Sequence, residues 1–161
     1  MSEHHASSQD LRIERTFEAP VTLVWQLWTE PEHFKTWYGP AGATIPTATM
    51  DVRVGGIRHL CMDVQTPNGP MQMWFAGEYL EVIEHRRLVY TESMSDEHGA
   101  TPAVGGGEHV ATEVRVEFEN LGSRTRIVLV HAGIPQDSPG ATGWEMALDK
   151  LATRLTRTNQ L

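Results

Sequence analysis

One apolar stripe near the C-terminus limits what this chain can fold into. Trp144, Ala147, Leu148, Leu151 and Leu155 recur at helical spacing, while Glu145, Asp149, Lys150, Arg154 and Arg157 lie mostly off that line. Ser138-Pro139 and Thr142-x-x-Glu145 each supply a start signal for the helix. It is the only helical segment long enough to cover a sheet, and most of what precedes it reads as strand. Strands need one face covered, so this helix must cover them.

The strands follow from alternation and punctuation. Leu11 to Phe17 alternates apolar and polar, and Ala19-Pro20 ends it. Val21, Val24, Trp25 and Trp28 predict a short helix to about Thr29. Thr29-Glu30-Pro31-Glu32 fits a capping box for a second short helix with Phe34 and Trp37, which Tyr38-Gly39-Pro40 stops. Thr47 to Val54 predicts a strand closing on Gly55-Gly56, and Ile57 to Gln65 the next, ended by the turn Thr66 to Pro70. Met71 to Ile83 is a long strand interrupted by Gly77, and Leu88 to about Met94 follows the polar turn 84–87. Ser95 to Glu108, with Pro102 and Gly105-Gly106-Gly107, reads as a mobile loop. Val110 to Phe118 and Thr125 to His131 complete the set. Short turns make the strands antiparallel. The expected architecture is α+β: a curved antiparallel sheet of six to seven strands around the C-terminal helix, with two short helices plugging one end. A cavity is expected between helix and sheet.

Composition excludes several classes. The chain has 161 residues, one domain's worth, and 40% of them are hydrophobic, enough for one core. Thirteen Lys and Arg against 21 Asp and Glu leave a net charge of -8, which disfavours nucleic acid and anionic membrane surfaces. No run of about 18 apolar residues is present to span a bilayer. Residues 1–9 read as a loose polar tail, Met1 to Asp10 lacks the pattern of a secretory signal, and the single Cys61 suits a reducing compartment, so a cytoplasmic setting is expected.

Three segments carry a resemblance: Trp28 to Glu32 with Trp37 to Pro40, then Met50 to Gly56, and Gly143-Trp144 with the leucine stripe behind it. Glu78 to Val82 leading to Leu88 to Glu92 also fits. In this order they resemble the START-like helix-grip superfamily. Within it, they are similar to the family related to the C-terminal domain of the activator of the ninety-kilodalton heat-shock protein ATPase. The resemblance covers about residues 10 to 158, the expected single domain, with residues 1–9 as a disordered tail. It implies the helix-grip fold but no single activity, because the family is functionally mixed.

Candidate chemistry is sparse. Five Glu-His dipeptides end at His4, His33, His85, His98 and His109, but none has the i, i+4 histidine spacing of a zinc helix, so no metal and no cofactor are expected. Nucleophile elbows, phosphate loops and dinucleotide fingerprints are absent. His131 shares a strand face with Ile127 and Leu129, the core side, and His59 shares one with Cys61. A polar group in an apolar cavity fixes ligand orientation. Glu92 shares a face with Tyr90 and is expected at the cavity mouth or in solvent. Asp51 and Arg53 point the same way and are expected to pair. Trp144 would face the cavity, where aromatic and Met side chains make an adaptable apolar lining. The expected lining is Trp37, His59, Cys61, Met73, Phe75, Tyr90, Glu92, Thr112, Val114, Leu129, His131, Trp144 and Leu148.

The leading expectation is non-enzymatic binding of a small hydrophobic or aromatic molecule in that cavity. A START-like enzyme of the cyclase, dehydratase or hydrolase type would instead need an acid or base there, from His59, His131, Tyr90 or Glu92. A chaperone-associated interaction module is the third reading, and a homodimer is compatible with all three.

Overall fold

The computed structural model describes residues 10–98 and 112–159, with side chains up to residue 156. Strand β1 (Leu11–Phe17) leads into helices α1 (Val21–Thr29) and α2 (Pro31–Phe34). Six further strands follow: β2 (Thr44–Met50), β3 (Ile57–Thr66), β4 (Gly69–Ile83), β5 (Arg87–Ser95), β6 (Thr112–Asn120) and β7 (Thr125–Ala132). Helix α3 (Pro139–Asn159) closes the chain. The strands form one seven-stranded antiparallel sheet in the order β1-β7-β6-β5-β4-β3-β2. The expected tail at 1–9 and positions 99–108 of the expected loop lie outside the described residues. No helix among those described is long and apolar enough to cross a membrane.

The α3 stripe does what its spacing demands. Ala147, Leu148, Leu151 and Leu155 are fully buried, in one core with Ile13, Leu88, Val116 and Leu129 from the sheet. Of the two start signals Ser138-Pro139 operates: the Ser138 hydroxyl accepts from the Ala141 N–H at 3.3 Å, and Pro139 takes the first helical position. Lys150, off the stripe, is half-buried rather than free: its ammonium donates to the Tyr38 and Pro40 carbonyls at 3.4 and 3.2 Å.

Two local expectations need correction. Thr29 does not cap α2; it ends α1, and its hydroxyl donates to the Trp25 carbonyl one turn back at 2.8 Å. Glu30 takes the cap position with no side-chain bond, and Pro31 starts the helix. The strand expected over 47–54 is instead β2, ending at Met50, because residues 51–56 form the connection to β3. The Asp51 N–H donates to the Ile57 carbonyl, and at Gly56 a Cβ would sit 1.8 Å from the Asp51 carbonyl oxygen. Asp51 and Arg53 do pair there, at 2.8 Å.

Candidate functional site

The inner face of β3 and β4 carries the chemistry. Arg58, Leu60, Met62 and Val64 point toward α3, and their partners across the ladder are Gly77, Phe75, Met73 and Met71. Under the first half of α3 this face leaves a cavity of about 240 Å³. Its walls are Met62, Val64, Met73 and Phe75 from the sheet, Tyr38 to Pro40 from the segment after α2, and Gly143, Trp144 and Ala147 from the helix. The lining is overwhelmingly apolar.

Two polar networks adjoin it. In the first, Arg58 is only 2% exposed and its Nη1 donates to Glu92 Oε2 at 3.3 Å. The Tyr38 hydroxyl donates to the same carboxylate, 3.2 and 3.3 Å from its oxygens. Gly77 lies between the two partners in the register. It is the register partner of Arg58, and the flanking pairs Ala76–Ser93 and Tyr79–Tyr90 set it opposite Glu92. At Gly77 a Cβ would sit 1.8 Å from the Thr91 carbonyl oxygen, so the glycine lets β4 and β5 approach closely where the guanidinium meets Glu92. The guanidinium stacks 3.9 Å from the Tyr90 ring centroid, with Phe34 at 5.2 Å and Tyr38 at 5.6 Å. Burial opposes the Arg58 charge, but the Tyr90 ring face and the Glu92 carboxylate beside it hold the guanidinium protonated. Burial, reinforced by Glu92, pushes the Tyr38 phenol well above its ordinary value, and burial likewise raises Tyr79 and Tyr90. All three phenols therefore stay neutral. Among the described residues, Arg58 Nη2 and the Tyr79 and Tyr90 hydroxyls make no hydrogen bond.

The second network is neutral and fully paired. The Trp144 indole N–H donates to His131 Nδ1 at 2.9 Å, and His131 Nε2 lies 2.8 Å from Thr112 Oγ1. The Thr112 hydroxyl donates onward to the Glu92 carbonyl at 3.0 Å. Because Thr112 spends its proton on that carbonyl, His131 Nε2 must donate to it and Nδ1 must accept. Burial lowers the His131 pKa.

The expected lining divides accordingly. Met73, Phe75 and Trp144 line the cavity. Tyr90, Glu92, Thr112 and His131 form the polar networks behind it. Glu92 is not at the solvent or the mouth: it is 8% exposed and held by Arg58 and Tyr38. Val114, Leu129 and Leu148 are fully buried core. So is Trp37, whose indole donates to the Leu27 carbonyl at 2.8 Å. His59 and Cys61 lie on the outer face, away from the cavity. His59 stacks on Trp74 at 4.9 Å beside an open groove of about 400 Å³, and Cys61 is buried, its thiol pushed up by burial and by Asp63.

Sequence reasoning missed Arg58, Tyr38, Met62 and Val64. The segment Ile57 to Gln65 has apolar residues in both phases, which hides the inner face. The polar residues give it away: His59, Asp63 and Gln65 share one phase, so Leu60, Met62, Val64 and Arg58 must share the other.

Comparison with known proteins adds the family. The model of the activator of Hsp90 ATPase homolog 1-like protein family matches residues 18–156. The chain belongs to that family. Among curated proteins nothing matches. Solved structures share the fold. A Nitrosomonas europaea protein is 24% identical with a TM-score of 0.76, the match covering 96% of this chain and 99% of that one. One from Chromobacterium violaceum is 23% identical at 0.74, covering 91% and 96%. An AHSA1 protein from Silicibacter pomeroyi is 21% identical at 0.71, covering 92% and 99%. These likenesses bear on fold alone, and the helix-grip architecture of this family suggests a ligand-binding domain.

Proposed function

We propose that this activator-homologue domain binds a small hydrophobic or aromatic molecule in the cavity between β3, β4 and the first half of α3, without transforming it. The observation that carries this reading is the cavity itself, about 240 Å³ with aromatic walls at Tyr38, Phe75 and Trp144 and thioethers at Met62 and Met73. An apolar cavity of about 150 Å³ holds benzene, so this one suits one or two fused rings. Methionines adapt their shape to such an occupant. The neighbouring acid and base groups are engaged with one another: Glu92 with Arg58 and Tyr38, and both His131 nitrogens with Trp144 and Thr112. That pairing supports a binder over an acid–base enzyme.

Fluorescence titration with N-phenyl-1-naphthylamine, an uncharged two-ring probe, tests the reading. Saturable one-to-one binding, displaced by naphthalene and weakened about fivefold by Trp144→Leu, is expected, on the scale of ~1 kcal/mol for one aromatic contact. Absence of saturable binding would overturn it.

A further inference from the structure

Trp144 belongs to both the cavity and the hydrogen-bonded relay behind it, and that double membership has a chemical consequence. Its ring walls the cavity, while its N–H is held by His131 Nδ1 at 2.9 Å. The relay runs in one direction, from indole to imidazole to Thr112 hydroxyl to Glu92 carbonyl, and admits only the neutral imidazole with its proton on Nε2. A second proton would have to sit on Nδ1, where it would face the indole N–H donor to donor. We propose that His131 is a positioning residue that holds Trp144 in its ligand-facing pose, and that protonation of His131 releases that wall, so that retention of an apolar ligand is acid-sensitive. The inference rests on the cavity being a binding site.

The surroundings give the imidazolium little support. His131 is 7% exposed. From β5, Glu92 favours its charge, but that carboxylate is already shared by Arg58 and Tyr38, and Arg58 opposes it. On β1 its register partner is Leu11, and the neighbouring Asp10 carboxylate accepts from the Gly133 N–H. On β6 it is opposite Val114, while Glu113 pairs with Arg115. On α3, Glu145 is engaged by Arg15 and Lys150 by the Tyr38 and Pro40 carbonyls. No carboxylate among these is left to accept from a protonated Nδ1.

Two measurements decide the matter. In the ligand-free protein, the Trp144 indole N–H resonance, assigned by its loss in Trp144→Phe, is followed by NMR from pH 8 to pH 5 beside the His131 ring protons. The indole should shift in the same step as the imidazole; an indole that ignores that step overturns the latch. In parallel, N-phenyl-1-naphthylamine affinity should fall about tenfold as His131 protonates, equivalent to ~1.4 kcal/mol. His131→Gln keeps an acceptor for the indole and a donor for Thr112 but cannot titrate. Whatever its affinity at pH 8, the ratio of its affinities at pH 8 and pH 5 should lose the tenfold acid dependence; an unchanged acid profile contradicts the proposal. A probe that fails to bind at pH 8 defeats the binding reading itself, while the indole titration still decides the role of His131.

Discussion

The two halves of the sheet obey the same alternation but are covered differently. Toward the second half of α3, Leu148, Leu151 and Leu155 share one buried core with Ile13, Leu88, Val116 and Leu129, all aliphatic. Under the first half, β3 to β5 present Arg58, Glu92, Met62, Met73 and Phe75, and the helix offers two glycines where the other half has leucines. Beyond the cavity the same inner face carries Met71 and Met94, 48% and 51% exposed. One half is packed to completion and the other is left open and polar at its back. Both halves bury side chains that stability depends on, and the proposed binding site lies where the cover is incomplete.

Breaking the charged pair should expose the difference most sharply. Glu92→Leu leaves Arg58 buried and uncompensated, and removing one partner of such a pair costs about 3–5 kcal/mol. The double variant Arg58→Met with Glu92→Leu should recover most of that loss in chemical denaturation. If the double variant is no more stable than the single one, the pair is not what Glu92 serves.

In the closed half, Leu151→Ala should cost about 2–5 kcal/mol by the same measurement, as core truncations do. It should leave the affinity of the remaining folded protein for an apolar probe unchanged, since Leu151 does not line the cavity. A loss of affinity would join two regions that the packing keeps apart.

Acid provides a subtler contrast. Burial lowers the folded-state pKa of His131, so the unfolded chain binds that proton first. The stability that depends on neutral His131 is complete above about pH 6.5, the unfolded value, and declines as the pH falls below it. Comparing wild type with His131→Gln by thermal melts between pH 8 and pH 5 should show a smaller acid loss in the variant. The smallest effect is expected at Lys150, whose ammonium ties α3 to the Tyr38–Pro40 segment. Lys150→Ala should cost about 1 kcal/mol, the net value of an ordinary hydrogen bond.

How much of this the sequence discloses differs between the halves. The closed half is legible because its chemistry is uniform: alternation in β6 and β7 and the α3 stripe each leave a single solution. His131 and Trp144 come with it, as both sit on elements with unmistakable periods. The open half is not. Apolar residues in both phases of β3 conceal that Arg58 faces inward, and its partner Glu92 looks like a strand end near solvent. Their meeting depends on the registers of two strand pairs and on a residue from after α2, none of which is local. Tyr38 reads as the end of a helix, although its ring walls the cavity and its hydroxyl holds Glu92.

Gly143 offers the most direct test of the central claim. It lines the cavity from the first half of α3, and a Cβ built there meets nothing within 4 Å. Gly143→Leu should add an isobutyl group on the cavity wall and, by replacing a helical glycine, raise helix stability by up to about 1 kcal/mol. Titrated with N-phenyl-1-naphthylamine, this variant should melt no lower than the wild type yet lose saturable binding. Wild-type affinity in a folded Gly143→Leu protein would place the ligand elsewhere and contradict the account.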